Sequence, residues 1–132
     1  MSDVEPICRA MHDKQLASLG DAFVNFVYSL ALTQINGRPR AVKVSDRILS
    51  DAFRLAGLRH FLGTRHSKKD FANAAESLLV EAYRKRLLTI EESVQIISQN
   101  ADGPEAGLSA LLKLTVERLG QRWPDSLAQE RS

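Results

Sequence analysis

Between Lys14 and Ile35 apolar side chains return every three or four residues, at Leu16, Leu19, Phe23, Phe26/Val27 and Leu30. That is the period of a helix, not the alternation of a half-buried strand. The run predicts one long helix, with these residues on its inner face, closed by Gly37-Arg38-Pro39. No strand pattern occurs elsewhere except the short Ala41-Val42-Lys43-Val44. A long amphipathic helix must bury its stripe against others. The chain is therefore expected to be all-α, a bundle of about six helices.

The other elements follow from their caps. A short helix is predicted from about Asp3, as N-cap, to His12. Ser45 suits the N-cap of a third helix reaching Ala56, with Ile48, Phe53 and Leu55 inside and Gly57 as its stop. Leu58 to Leu62 adds a turn, and residues 63–69 read as an exposed basic loop. A fourth helix is predicted from about Asp70 to Leu88, with Phe71, Ala75, Leu78, Leu79, Ala82 and Tyr83 inward. Thr89-Ile90-Glu91-Glu92 has capping-box form and opens a fifth, to about Gln99. Pro104 suits the first turn of a last helix ending near Gly120 or Trp123, with Trp123 packed on the bundle. The polar tail 124–132 is expected to fray. One domain over residues 1–132, with its core at about 3–123, accounts for the chain.

Composition excludes several classes. Cys8 is the sole cysteine, so neither an internal disulfide nor a cysteine-based zinc site can form. It reads as a small buried apolar residue and fits a cytoplasmic location. No uninterrupted apolar run approaches the roughly 20 residues of a bilayer span, and no secretory signal is read at the start. The net charge of +2 hides an uneven distribution. Residues 38–69 hold nine Lys/Arg against two acids, a zone that would attract a polyanion or merely face water.

Asp21 lies among apolar residues beside Gly20. A glycine there costs about 1 kcal/mol of helix propensity against alanine. It makes sense where another helix or a ligand comes close. Asn73 and Glu76 share a face of the fourth helix and are flanked by Ala72, Ala74, Ala75 and Ser77. Were the two helices packed together, two carboxylates and an amide oxygen would suit a hard cation such as Mg²⁺. Both acids could equally stand on solvated faces of a helical interaction module.

Gln15-Leu16-Ala17-Ser18-Leu19-Gly20-Asp21-Ala22 resembles the signature helix of the ribonuclease III nuclease domain, which ends Leu-Gly-Asp-Ala or Leu-Gly-Asp-Ser. Asn73-Ala74-Ala75-Glu76-Ser77-Leu78-Leu79 resembles that family's second motif, Asp-x-x-Glu-Ala-Leu-Ile. Val44-Ser45-Asp46 through Ala56-Gly57-Leu58 is similar to the intervening helix. Order and spacing agree over roughly residues 14–88, and the chain is most similar to small archaeal forms and to minimal forms without a double-stranded-RNA-binding domain.

The resemblance implies an all-helical homodimer that cleaves double-stranded RNA with Mg²⁺, or Mn²⁺ in its place. It assigns Asp21 and Glu76 as metal-binding catalytic acids, with Asn73 as a neutral ligand or water anchor. Lys43, Arg65, Lys68 and Lys69 become the expected phosphate contacts. Three positions depart from the pattern: Lys14, Ala17 and Asn73 stand where the family has acids. The alternative is therefore an RNA-binding or scaffold protein with impaired catalysis. His12, His60 and His66 show no ligand spacing and are not expected to form a site.

Overall fold

The computed structural model describes the backbone of residues 4–62, 66–100 and 102–131, and side-chain surroundings for 7–62, 66–100 and 102–120. The chain forms α1 (Val4–Met11), α2 (Lys14–Asn36), α3 (Asp46–Leu55), a 3₁₀ turn (Arg59–Phe61), α4 (Lys68–Arg84), α5 (Ile90–Gln99) and α6 (Pro104–Arg131). No strand occurs among the described residues. The N-cap expected at Asp3 lies outside them, as do Arg65 and the side chain of Trp123.

Local chemistry sets the starts. The Asp13 carboxylate accepts from the backbone N–H groups of Gln15 (3.0 Å) and Leu16 (3.1 Å), opening α2. Gly37, at φ 73°, closes it in the left-handed conformation. Ser67 and Asp70 form a reciprocal capping box on α4. This corrects the expected basic loop: Lys68 and Lys69 lie in the first turn of α4, because Ser67, not Asp70, is the cap.

α4 is the central element, packed against α1, α2, α3 and α6. Ala72, Ala74, Ala75, Ser77, Leu78, Leu79 and Ala82 are fully enclosed around it. Its small side chains let neighbours come close. α2 presents Leu16, Ala17, Gly20, Phe23, Val24, Val27 and Ala31 inward. Leu19 and Phe26, expected inside, are 51% and 52% exposed. The face has turned because Gly20, rather than a large side chain, meets α4. Leu55 (59% exposed) and Tyr83 (41%) likewise lie outside; Leu49 and Ala52 fill the inner side of α3 instead. By length and composition α2 could cross a bilayer, but here it is a core helix with Val24, Val27 and Ala31 fully buried.

Two further ends differ from expectation. α4 stops at Arg84 rather than Leu88, and Arg86 takes a left-handed φ of 62° in the turn to α5. The Arg118 guanidinium bridges this turn, donating to the Leu87 carbonyl (2.8 Å) and to both Glu92 carboxylate oxygens. α6 does not end near Gly120 or Trp123; it continues as helix through Pro124 to Arg131. A proline removes one backbone donor, and the following Ala128-Gln129-Glu130-Arg131 are strong helix formers.

Residues 40–44 form an extended strap along α2. Ser29 Oγ accepts from the Val42 N–H (2.9 Å) and lies 3.2 Å from the Val42 carbonyl oxygen. Thr33 Oγ1 accepts from the Arg40 N–H (3.0 Å), and Asn25 Oδ1 accepts from the Val44 N–H (2.8 Å). Four residues of helix rise about 6 Å and two of extended chain span about 6.6 Å, so the two repeats nearly match. Asn25, Ser29 and Thr33 thus act as a sheet edge for a segment that has no strand partner.

Candidate active site

Gly20 brings the two acids together. A Cβ there would lie 2.4 Å from the Glu76 carbonyl carbon and 2.9 Å from its Cβ, so the backbones of α2 and α4 touch. Asp21 follows on α2, and its carboxylate is within hydrogen-bonding reach of the Glu76 carboxyl. Glu76 is only 5% exposed. Burial, then the hydrogen bond and charge of Asp21, push its carboxyl up to about 8. Asp21 moves the other way, lowered by the Glu76 hydrogen bond and then by Lys43. Below about pH 8 Glu76 therefore favours its protonated form, beside an ionised Asp21.

Lys43 projects from the strap onto the pair. Its Nζ donates to Asp21 Oδ1 (3.1 Å) and lies 3.3 Å from Oδ2. Asn25 Nδ2 donates to the same Oδ1 (3.2 Å) while Asn25 Oδ1 holds the strap at Val44. One amide thus ties the acid to the backbone beside its lysine.

Asp21, Glu76 and Asn73 line one cleft of about 550 Å³. Asn73 is half-buried, one helical turn before Glu76. Lys43 and Lys69 border the cleft; Lys68 is exposed but does not line it. Lys69 Nζ lies 3.9 Å from Asp46 Oδ2. Lys14 and Ala17, at positions where the family pattern has acids, also face in. Sequence reasoning missed Asp46 and Asp70, which add carboxylates to the wall. Their cap positions, one after Ser45 and three after Ser67, were visible signals. It also missed Asn25, four residues after Asp21 and so on the same helix face.

Two of the three histidines do come together: the His12 and His66 rings are 6.3 Å apart, beside the cleft. His66 Nδ1 lies 3.4 Å from Asp70 Oδ2, and His12 Nδ1 is 2.7 Å from the Cys8 carbonyl oxygen. His60 stacks on Phe61 instead. Cys8 is half-buried, its thiol raised by burial. No trio of His, Cys, Asp or Glu among the described residues is grouped to hold a metal.

The donor set available at the acid pair is two carboxyls and one amide, all hard oxygens. That fits one Mg²⁺, which binds through one or two carboxylates and keeps several waters.

The chain matches the ribonuclease III family over residues 14–119, most of its length. It belongs to that family, and its helical fold is the one expected of such a domain. No protein of curated function matches it significantly.

Proposed function

We propose that this ribonuclease III family member is a Mg²⁺-dependent endoribonuclease that cleaves double-stranded RNA as a homodimer. The observation that carries the reading is the meeting of Asp21 and Glu76 in a cleft bordered by lysines. Asp21 and Glu76 would hold the ion, with Asn73 binding it or one of its waters. When bound, the ion supplies Lewis-acid chemistry for phosphodiester hydrolysis. Glu76 must first release its proton, which the ion's charge favours.

Lys43, Lys68 and Lys69, with Arg65 from the sequence alone, are assigned to phosphates of the duplex. A-form RNA is recognised by shape and backbone, so such contacts should weaken with salt. The homodimer reading draws on Leu19, Ala22 and Phe26, an exposed apolar stripe on α2. Tyr83, packed on Phe23 with ring centres 5.0 Å apart, widens it. A two-fold interface would let this stripe cover its own copy. The single cysteine supports a cytoplasmic location.

Long duplex RNA with Mg²⁺ should yield short duplex products. Asp21→Asn and Glu76→Gln should each abolish them while duplex binding persists. Unchanged cleavage in both variants would sink the assignment. Phe26→Asp should convert the dimer to monomer in sedimentation; a dimer that survives it refutes the proposed interface.

Lys14, Ala17 and Asn73 favour a second reading, an RNA-binding protein with impaired catalysis. Duplex binding without cleavage by the unaltered protein would select it.

A further inference from the structure

Asp21 is already supplied with a cation by its own chain. Lys43 Nζ stands 3.1 and 3.3 Å from its two oxygens, across the mouth of the carboxylate. This placement is built rather than casual. Val42 is held to Ser29, and Val44 to the same Asn25 that holds Asp21. The backbone on both sides of Lys43 is thus fixed to α2, although the side chain itself is 72% exposed.

The oxygens of Asp21 have few directions left. Oδ1 accepts from both Asn25 and Lys43, and Oδ2 lies 3.3 Å from the same ammonium. A divalent ion on Asp21 would need an oxygen lone pair at about 2.1 Å. An ammonium across the same carboxylate would then be a like charge within a few ångströms of a doubly charged ion, and the two would repel even with solvent around the exposed lysine.

We propose that Lys43 is the resident counter-cation of the acid pair and competes with the divalent ion for Asp21. This rests on the assignment of Asp21 and Glu76 as metal ligands. Cation binding is then an exchange: the ion takes Asp21, and the Lys43 ammonium swings to the cleft rim. There its available partner is an anion such as a substrate phosphate. The strap keeps its grip on α2 throughout, so only the lysine side chain moves. The lysine thereby sets the affinity of the site and couples ion binding to phosphate capture.

The test uses Mn²⁺ alone, titrated into the intact protein and followed by electron paramagnetic resonance. Lys43→Met should bind Mn²⁺ at least about tenfold more tightly than the unaltered protein. Lys43→Arg keeps the charge and should stay within about twofold. Circular dichroism checks that both variants fold. In a second measurement, Lys43 should react faster with an amine-acylating reagent when Mn²⁺ is added, read by peptide mass spectrometry. Mn²⁺ affinity in Lys43→Met equal to or below that of the unaltered protein overturns the competition and leaves the metal site standing. So does a Lys43 reactivity indifferent to Mn²⁺. Absence of Mn²⁺ binding by both proteins overturns the metal-ligand assignment, and this inference with it.

Discussion

A Cβ on Gly20 would stand 2.1 Å from the carbonyl oxygen of Glu76. The residue that permits the helix contact is thus adjacent in sequence to one acid, Asp21, and in space to the other. Contact and chemistry are set by the same crossing.

Gly20→Ala should therefore be costly despite its better helix propensity. The clash is with backbone, which cannot rotate away, so α2 and α4 must separate. The expected loss is about 1–3 kcal/mol or more, as for other overpacked cores. Chemical denaturation measures it. The separation should also weaken Mn²⁺ binding, because the acid pair opens. A variant as stable as the original would show that the helices yield without cost.

Asn73→Asp replaces a neutral oxygen donor by a charged one on the wall that holds Glu76. Binding of Mg²⁺ should tighten, by about an order of magnitude if one more carboxylate joins the ion. Calorimetric titration gives the number. In the absence of metal the same change should destabilise the fold slightly, since it adds a further negative charge to a cleft that already holds Asp21.

The pH dependence has a definite sign. Glu76 titrates near 8 in the fold, above its ordinary 4.5. Its protonated form is the one the fold prefers. The stability it contributes is full below about 4.5 and is lost as pH rises through about 8. Asp21, lowered, works oppositely and loses its contribution only in acid. In chelator, thermal stability should thus fall from about pH 5 to 9, and Glu76→Gln should flatten the slope. With Mg²⁺ the trend should reverse in part, because the ion binds the deprotonated pair. A flat profile in the unaltered protein would contradict a protonated Glu76.

Asn25→Ala removes bonds to both Asp21 and the Val44 N–H. It should cost about 1–3 kcal/mol, because the amide of the buried Val44 loses its partner. It should also loosen Lys43 and so raise Mn²⁺ affinity modestly, in the same direction as Lys43→Met. Ser29→Ala, farther from the acids, should lower stability with less effect on the ion. Comparing the two by denaturation and Mn²⁺ titration separates support of the strap from orientation of the acid.

Much of the helical order was legible because caps and periods are local. Asp70 was read as the start of α4 although it is the third residue of its capping box, since Ser and Asp are both good caps. Which face of α2 turns inward was not legible. Leu19 and Phe26 have the hydrophobicity of core residues, and only the space required by Gly20 against α4 puts them outside. The acid pair was legible through its two motifs, and Lys43 as a phosphate contact, but the place of that lysine on Asp21 was not. Lys43 sits twenty-two residues from Asp21, in a segment with no regular structure. Its place depends on hydroxyl and amide side chains of α2 standing in for a neighbouring strand, a pattern that residue spacing on the helix alone does not announce.

The strap also gives the link between α2 and α3 a parity. Extended chain turns its hydrogen-bonding edge over with each residue, so Arg40, Val42 and Val44 offer their backbone to α2 while Ala41 and Lys43 do not. Inserting one residue between Val42 and Lys43 would swap the two sets beyond it if the helix kept its grip on Arg40 and Val42, pointing the lysine away from the acid. Inserting two could be absorbed by a slip that restores the odd–even order. The connection can therefore change length freely in its turn, but within the strap it counts only in pairs.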